Sequence, residues 1–155
     1  MIKSAGLLLY RMRNNGLEVL LVHPGGPFWS GKDLGVWSIP KGLVGKDELP
    51  REAAEREFRE ETGCNVSGEC IPLAGVKLRS GKMVFAWACE GDCDAAAITS
   101  NTFTMEWPPG SGRQREFPEV DRAGWFTPGE ALKKLAPGQI PLLHELQMKL
   151  ATEKP

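Results

Sequence analysis

The sequence predicts one α/β domain over residues 1–155. Three observations carry this reading. Apolar runs flank an Asn-Gly turn near the start, an Ala-, Glu- and Arg-rich segment with helical spacing follows, and alternating runs give way to two helical segments at the end. A chain of 155 residues can bury about 68–70% of the surface it exposes when unfolded. One core therefore suffices, and no repeat, low-complexity tract or shift in composition marks a second domain.

Ala5–Arg11 and Leu17–His23 read as strands of a hairpin closed at Asn14-Asn15-Gly16. Pro24–Gly35 is crowded with Gly and Pro and reads as a loop, yet it carries Phe28 and Trp29. Such an aromatic pair serves either as a local hydrophobic lid or as a stacking surface for a nucleobase. Val36–Ile39 is a short strand leading to Pro40-Lys41-Gly42. Lys41 is placed to meet a phosphate as a point charge, with a solvated loop lysine as the plainer alternative.

A helix then starts near Asp47-Glu48, with Asp47 as N-cap and Pro50 in the first turn, where a missing N–H costs nothing. Gly63 supplies the left-handed stop. Along this helix Glu57, Glu60 and Glu61 are spaced i, i+3, i+4 and share one face. Like charges at these spacings destabilise a helix by roughly 0.2–0.5 kcal/mol per pair. They also sit in the last turns, where the dipole disfavours acids by about 0.3–1 kcal/mol. Ala53 and Ala54, one turn back, are expected to leave open space above the carboxylates. A clustered anionic face with room over it suits a hard divalent cation, which takes oxygen ligands. A solvated face neutralised by Arg56 and Arg59 is the alternative that spacing alone leaves open.

Beyond the helix, Leu73–Arg79 and Lys82–Glu90 read as strands joined at Ser80-Gly81. Met83, Phe85, Trp87 and Cys89 share one face of the second, read here as core. Lys77 and Arg79 project together, as surface charge or as partners for a polyphosphate. Asp94–Ser100 is a connector, Thr102–Trp107 a strand, and Pro108–Gly112 a breaker-rich loop. Arg115–Asp121 precedes a strand at Ala123–Thr127; Thr127 then caps a helix over Pro128–Leu135, and a last amphipathic helix covers Leu142–Leu150.

Composition excludes several classes. Nineteen Lys and Arg against twenty Asp and Glu argue against an extended nucleic-acid face. No apolar run approaches the roughly 18 residues of a membrane span. Ala5–Tyr10 is short for a signal-peptide core and no small-residue cleavage site follows, so a cytoplasmic protein is the default expectation. Cys64, Cys70, Cys89 and Cys93 are read as reduced, buried thiols of that compartment. Cys89 and Cys93 could form half a zinc site, but neither His23 nor His144 stands in a paired-ligand spacing.

Gly42, Glu48, Arg56, Glu57, Phe58, Glu60, Glu61, Gly63 and Cys64 fill the pattern G-x5-E-x7-R-E-U-x-E-E-x-G-U in register, U being a bulky apolar residue. This stretch resembles the Nudix box; Phe58 and Cys64 stand where aliphatic residues are usual. The resemblance implies an α/β/α sandwich with a mixed central sheet and a Mg²⁺-dependent pyrophosphohydrolase, with Mn²⁺ as an alternative ion. It further implies Glu57 and Glu61 as main metal ligands with the Gly42 carbonyl, Glu60 as shared ligand or general base, and Arg56 as the residue that orients the acids through Glu48 and Glu60. The overall layout is similar to the small Nudix hydrolases acting on dinucleoside polyphosphates, although Asp94–Trp107 has no clear counterpart there. In that group an acid precedes a Trp near the C-terminal helices. Glu119, six positions before Trp125, matches it as an accessory metal ligand or base, with Glu116 as competitor. The implied partner is a small nucleotide: a dinucleoside polyphosphate, a nucleoside triphosphate, a sugar nucleotide or a capped RNA end. A non-catalytic nucleotide-binding or sensor module is the alternative function.

Overall fold

The computed structural model describes residues 2–66 and 68–153; Met1, Ser67, Lys154 and Pro155 of the expected domain lie outside them. Its first hairpin is the predicted one. Strand β1 (Lys3–Arg13) and strand β2 (Gly16–Pro24) pair from Tyr10↔Val19 to Arg13↔Gly16. Asn14 and Asn15 both take positive φ, 51° and 64°, the twist a two-residue hairpin turn requires. β1 alternates its side chains between two buried layers, Leu7 and Leu9 to one and Leu8 and Tyr10 to the other. A strand buried on both faces reads as a continuous apolar run, which is why Gly6–Tyr10 lacks polar positions.

Around this hairpin a mixed sheet forms, with β3 (Lys41–Leu43), β4 (Cys70–Pro72), β5 (Val76–Lys77), β6 (Met83–Glu90) and β9 (Val120–Phe126) as its further members. The order is β4-β6-β1-β2-β9. β6 runs parallel to β1 from Lys3↔Met83 to Tyr10↔Glu90, and β3 pairs antiparallel with the start of β1. A separate hairpin, β7 (Thr102–Glu106) with β8 (Gln114–Pro118), stands off the sheet.

Helix α1 (Pro50–Thr62) covers one face, where Ala53, Ala54 and Phe58 meet Leu7, Leu9 and Leu20. Helices α2 (Pro128–Lys134) and α3 (Ile140–Glu153) cover the other, where Leu142, Leu143 and Leu146 meet Leu8, Leu21 and Ile39. The result is the expected three-layer α/β/α sandwich. Thr127 caps α2 as anticipated, accepting from the Glu130 N–H while Glu130 accepts from the Thr127 N–H. Among the described residues no helix is long and apolar enough to cross a membrane.

Several local expectations are corrected. Val36–Ile39 is not a ladder strand: Trp37 and Ser38 make isolated bridges to Leu135 and Val22, and the strand proper begins at Lys41. Of Leu73–Arg79 only Val76–Lys77 (β5) is strand; Gly75, at φ 80° and packed where a Cβ would lie 2.7 Å from the Val84 carbonyl, separates it from β4, which the sequence did not suggest. Arg115–Asp121 is not a simple lead-in but contains β8 and the start of β9. Asp47 does not cap α1; it adopts φ 65° in the preceding turn, and the helix begins at Pro50 with the Leu49 N–H bonded to the Glu52 carboxylate.

The reduced-thiol expectation also fails. Cys64 is bonded to Cys93 and Cys70 to Cys89, and the described residues include no free cysteine. The second bridge follows from pairing, since Cys70 and Cys89 are register partners of β4 and β6. The first ties the residue after the α1 stop to the turn after β6. Sequence spacing could not anticipate either, because each pair becomes adjacent only through sheet order. Disulfides persist in oxidising compartments and are rare in the cytosol. The cysteines therefore no longer support the cytoplasmic default.

His23 is fully buried at the end of β2, and both ring nitrogens face acceptors: the Asp121 carboxylate at 2.8 Å and the Lys32 carbonyl at 2.6 Å. Together with the bond from the Trp37 indole to Asp33 and the Lys134–Asp33 ion pair, it fastens the loop at 24–35 to the sandwich.

Candidate active site

The acid face of α1 is built from its connection to β3. Gly42 pairs with Ala5 of β1, and a Cβ there would fall 2.0 Å from the Glu57 carboxyl carbon. Only glycine lets that carboxylate lie against the loop backbone. On the opposite side Ala53 and Ala54 are fully buried against the sheet. They do not leave room over the acids, as expected from sequence; they let the helix approach the strands closely.

Arg56 organises the acids. Its Nε and one terminal nitrogen donate to the two Glu48 oxygens at 2.8 and 3.0 Å, a forked contact. The other terminal nitrogen donates to Glu57 at 2.8 Å and to Glu60 at 2.8 Å, and a further bond reaches the Leu43 carbonyl at 3.0 Å. The Glu48 carboxyl is held down to about 2, first by these Arg56 bonds and then by the Gly45 N–H. Glu48 thus ties the loop to the helix.

Glu57 and Glu61 behave oppositely. Burial pushes the Glu61 carboxyl up to about 8, with the Glu57 and Glu119 charges adding to it and the Lys41 N–H and ammonium opposing it. Burial likewise raises Glu57, against the pull of Arg56. The Lys41 ammonium is lowered by its own burial and by Lys82, while Glu61 and Glu57 draw it the other way. Lys41 therefore sits among the acids rather than free in solvent.

The sharp turn between β8 and β9 brings Glu119 to the same place. Its charge acts on both Glu57 and Glu61, whereas Glu116 faces Thr104 across the β7–β8 hairpin. Backbone bonds fix this turn: Gly25 N–H to the Glu119 carbonyl at 2.9 Å, and Glu119 N–H to the Asn101 carbonyl at 2.9 Å. Asn101 in turn donates to the Glu60 carbonyl at 2.7 Å, so one residue joins the backbones of Glu60 and Glu119. Thr99 donates to the Thr62 carbonyl and Gly63 to that of Arg59. These donors satisfy carbonyls that a helix end otherwise leaves unpaired.

Phe28 and Trp29 lie in the adjoining loop. Phe28 meets Trp107 edge-on at 5.6 Å and remains 59% exposed, and the Lys32 ammonium lies 5.3 Å from the Trp29 ring. Three contributors escaped sequence reading: Lys82, whose charge reaches Lys41; segment 99–101; and the β7–β8 hairpin. Lys82 carried a signal, since it immediately precedes the strand that runs beside β1. The other two depend on long-range backbone bonds that leave no pattern in sequence. Cavities of about 650 Å³ beside Tyr10 and Glu90 and about 380 Å³ beside Arg11 and Trp125 include none of these acids.

Among the described residues, no three His, Cys, Asp or Glu side chains are already arranged to hold a metal ion. The reason is visible in the pairing: Arg56 holds Glu57 and Glu60, and Lys41 stands beside Glu61. The donor set nevertheless fits a hard cation. It consists of carboxylate oxygens, and the half-buried Glu57 and Glu61 are raised first by desolvation and then by the charges of neighbouring acids, Glu119 among them.

Residues 2–146 match the NUDIX domain model. A MutT-like protein of Streptomyces ambofaciens is 28% identical over 104 residues, 67% of this chain and 56% of that protein's length. The chain therefore spans little more than half of that relative. Among solved structures, a C. elegans Ap4A hydrolase binary complex superposes with TM-score 0.67 at 22% identity, covering 98% of this chain and 99% of that one. The NUDIX domain of Shewanella oneidensis NrtR, complexed with ADP ribose, superposes with TM-score 0.68 at 18% identity, covering 97% and 88%. At these identities the two structures speak to fold alone.

Proposed function

Because the chain belongs to the NUDIX domain family, we propose that it is a Mg²⁺-dependent pyrophosphohydrolase, cleaving the diphosphate linkage of a nucleoside diphosphate joined to another group. The observation that carries this reading is the pair of half-buried carboxylates, Glu57 and Glu61, one helical turn apart, both pushed toward protonation by desolvation and by neighbouring acids. A helix that spends stability on such a pair gains from a divalent ion neutralisation beyond what Arg56 gives Glu57 and Lys41 gives Glu61.

Glu57, Glu61, the Gly42 carbonyl and Glu119 are the groups that would hold Mg²⁺ or Mn²⁺, with Glu60 as a further ligand or the general base. When bound, the ion supplies charge neutralisation of the diphosphate and a lowered pKa for water. The remaining work falls to the chain. Arg56 is a positioning residue, holding Glu48, Glu57 and Glu60 in one fork-shaped network. Lys41 and Lys82 place positive charge beside the acids for the phosphate oxygens to meet. Phe28 offers an exposed ring to a nucleobase, and Trp29 adds a second, more covered one.

The test is a panel of dinucleoside polyphosphates, nucleoside triphosphates and nucleotide sugars, with phosphate and nucleotide products measured with and without Mg²⁺. Metal-dependent cleavage of at least one is expected. Cleavage of none, with tight binding of one, replaces this reading with that of a nucleotide sensor.

A further inference from the structure

His23 lies at the end of β2 with its ring fully buried between two acceptors. Nδ1 faces the Asp121 carboxylate at 2.8 Å, and Nε2 faces the Lys32 carbonyl at 2.6 Å. A neutral imidazole carries one N–H, so one of these contacts would set a nitrogen lone pair against an oxygen. Only the imidazolium donates on both sides. Both distances are those of formed hydrogen bonds, and the pair of them is satisfied by the doubly protonated ring.

The ring joins two pieces of the candidate site. Asp121 belongs to β9, two residues past Glu119, and Lys32 to the loop that carries Phe28 and Trp29. That loop is tied at its ends. Gly25 donates to the Glu119 carbonyl at the start, while Gly35 donates to the Lys133 carbonyl and Asp33 holds Lys134 and the Trp37 indole at the finish. In between, the Trp29 and Lys32 N–H groups bond only within the loop, and Gly26 and Phe28 touch the β7–β8 hairpin, which itself stands off the sheet. Among the described residues no backbone N–H donates to the Lys32 carbonyl. His23 is therefore the polar tie from the aromatic stretch of the loop to the main sheet.

Asp121 is the charge in contact with the ring. The Arg122 guanidinium of β9 lies 5.3 Å from the centre of the Trp37 ring, which meets His23 edge-on at 5.2 Å. On the loop, Asp33 is paired with Lys134 of α2, and the Lys32 ammonium is turned to the Trp29 ring at 5.3 Å. The contact with Asp121 is thus the closest of these charges and the one that favours an imidazolium.

We propose that His23 is a positioning residue that latches the aromatic loop beside the acid site, its imidazolium bridging Asp121 and the Lys32 carbonyl, and that loss of its proton releases the loop and weakens nucleotide binding. The inference rests on the reading above, in which Phe28 and Trp29 meet the nucleobase. When the proton passes to solvent, the remaining N–H stays with the carboxylate, the stronger acceptor, and Nε2 presents a lone pair to the Lys32 carbonyl. That carbonyl regains a donor from water once the loop moves off the ring. The latch works in the interval where histidine changes charge, closed at its acid end and open at its alkaline end.

The test begins with the intact chain without nucleotide, its histidines labelled with ¹⁵N and Mg²⁺ saturating so that Glu61 does not titrate alongside. Spectra correlating ring nitrogens with their protons, from about pH 5 to about pH 8, should show His23 with two N–H groups at the start and one at the end. Over the same interval amide exchange in residues 25–35, corrected for its intrinsic pH dependence, should accelerate roughly tenfold, on the scale of one lost hydrogen bond. Residues 19–22 should not change. The dissociation constant of a methylene-bridged ATP analogue should rise by a similar factor of about ten. His23→Gln, whose side chain cannot take a charge, should hold that constant near its alkaline value throughout and remove its pH dependence. A ring whose protonation stays constant, loop exchange that ignores the change, or an affinity that is absent, pH-independent, or equally pH-dependent in the glutamine variant overturns the latch. Should His23→Gln not fold, the titration of the parent protein decides alone. Failure to cleave any member of the substrate panel sinks the enzymatic reading instead, because the ring, loop and binding measurements require no turnover.

Discussion

Helices α1 and α3 flank the same sheet, yet they are held by different physics. α3 is seated by leucines: Leu142, Leu143 and Leu146 are 1%, 0% and 0% exposed. α1 brings Phe58 as its one large buried apolar side chain, beside Ala53 and Ala54. Its position is set instead by directional bonds: Arg56 to the Glu48 carboxylate and the Leu43 carbonyl ahead of the helix, segment 99–101 to the carbonyls of its last turn, and the Cys64–Cys93 bridge just past its end. Burial of apolar surface is strong but non-directional. Bonds of fixed geometry determine which way a helix face points. The helix that carries the acids is the one whose rotation must be fixed.

The largest effects should separate these two roles. Glu61→Gln removes a half-buried acid that repels its neighbours, so the expected loss of metal-dependent turnover is about a hundredfold or more. Thermal stability without metal should stay equal or rise. Leu143→Ala should do the reverse, costing about 2–5 kcal/mol of stability while the fraction that remains folded keeps its kcat. Chemical denaturation alongside a turnover assay measures both. A Glu61→Gln protein with full activity would remove the acid site from the reaction.

The disulfides sharpen the contrast at a somewhat smaller scale. Converting either pair to alanines should cost about 2–4 kcal/mol. Only the Cys64–Cys93 pair ends next to α1, so only its loss should also weaken Mg²⁺ affinity; removal of Cys70–Cys89 should leave metal titration unchanged. If both double variants bind Mg²⁺ alike, the bridge does not orient the acid helix.

pH should act on the two kinds of acid in opposite windows. Glu61 in the folded, metal-free protein binds its proton up to about 8, whereas an unburied glutamate releases it near 4.5. The folded state then holds more protons than the unfolded one across that interval, so stability falls as pH rises through it. Each pKa unit is worth about 1.36 kcal/mol, and a decline of at least that size is expected between these limits. Glu48 runs the other way: its carboxyl is depressed to about 2, so its contribution is present above 4.5 and lost as pH falls toward 2. Denaturation of metal-free protein at a series of pH values checks both, and Glu61→Gln should flatten only the upper limb. Saturating Mg²⁺ should flatten it too.

What sequence could show and what it could not divides along the same line. The first hairpin was legible because Asn-Asn-Gly between two apolar runs encodes its own turn. The Glu48–Arg56–Glu60 network was legible because helical spacing and the Nudix box fixed it locally. Ala53 and Ala54 were misjudged because periodicity says that a small residue lies near a face but not whether solvent or sheet lies over it. The disulfides and the Glu60–Asn101–Glu119 relay were invisible because each depends on segments far apart in sequence. Glu119 was found through resemblance; the turn that places it involves Gly25 and Asn101, neither of which carries a side-chain signal.

The smallest prediction asks whether any surface charge on α1 would serve as well as Arg56. Arg51 makes a single i,i+4 bond to Glu55 at 2.9 Å, with both side chains over 40% exposed. Arg56 makes several bonds, and its Glu48 and Glu57 partners are only 19% and 14% exposed. In open solvent, competition from water and salt leaves an i,i+4 pair worth only about 0.3–0.5 kcal/mol. Arg51→Ala should therefore lower stability by no more than that, should change neither kcat nor Mg²⁺ affinity, and should lose even this effect at high salt. Arg56→Ala should disturb metal binding at any ionic strength, because partly buried charges are screened little. Equal responses of the two variants to added salt would mean that α1 is not positioned by its polar network, and the distinction from α3 would then reduce to the number of buried carbons.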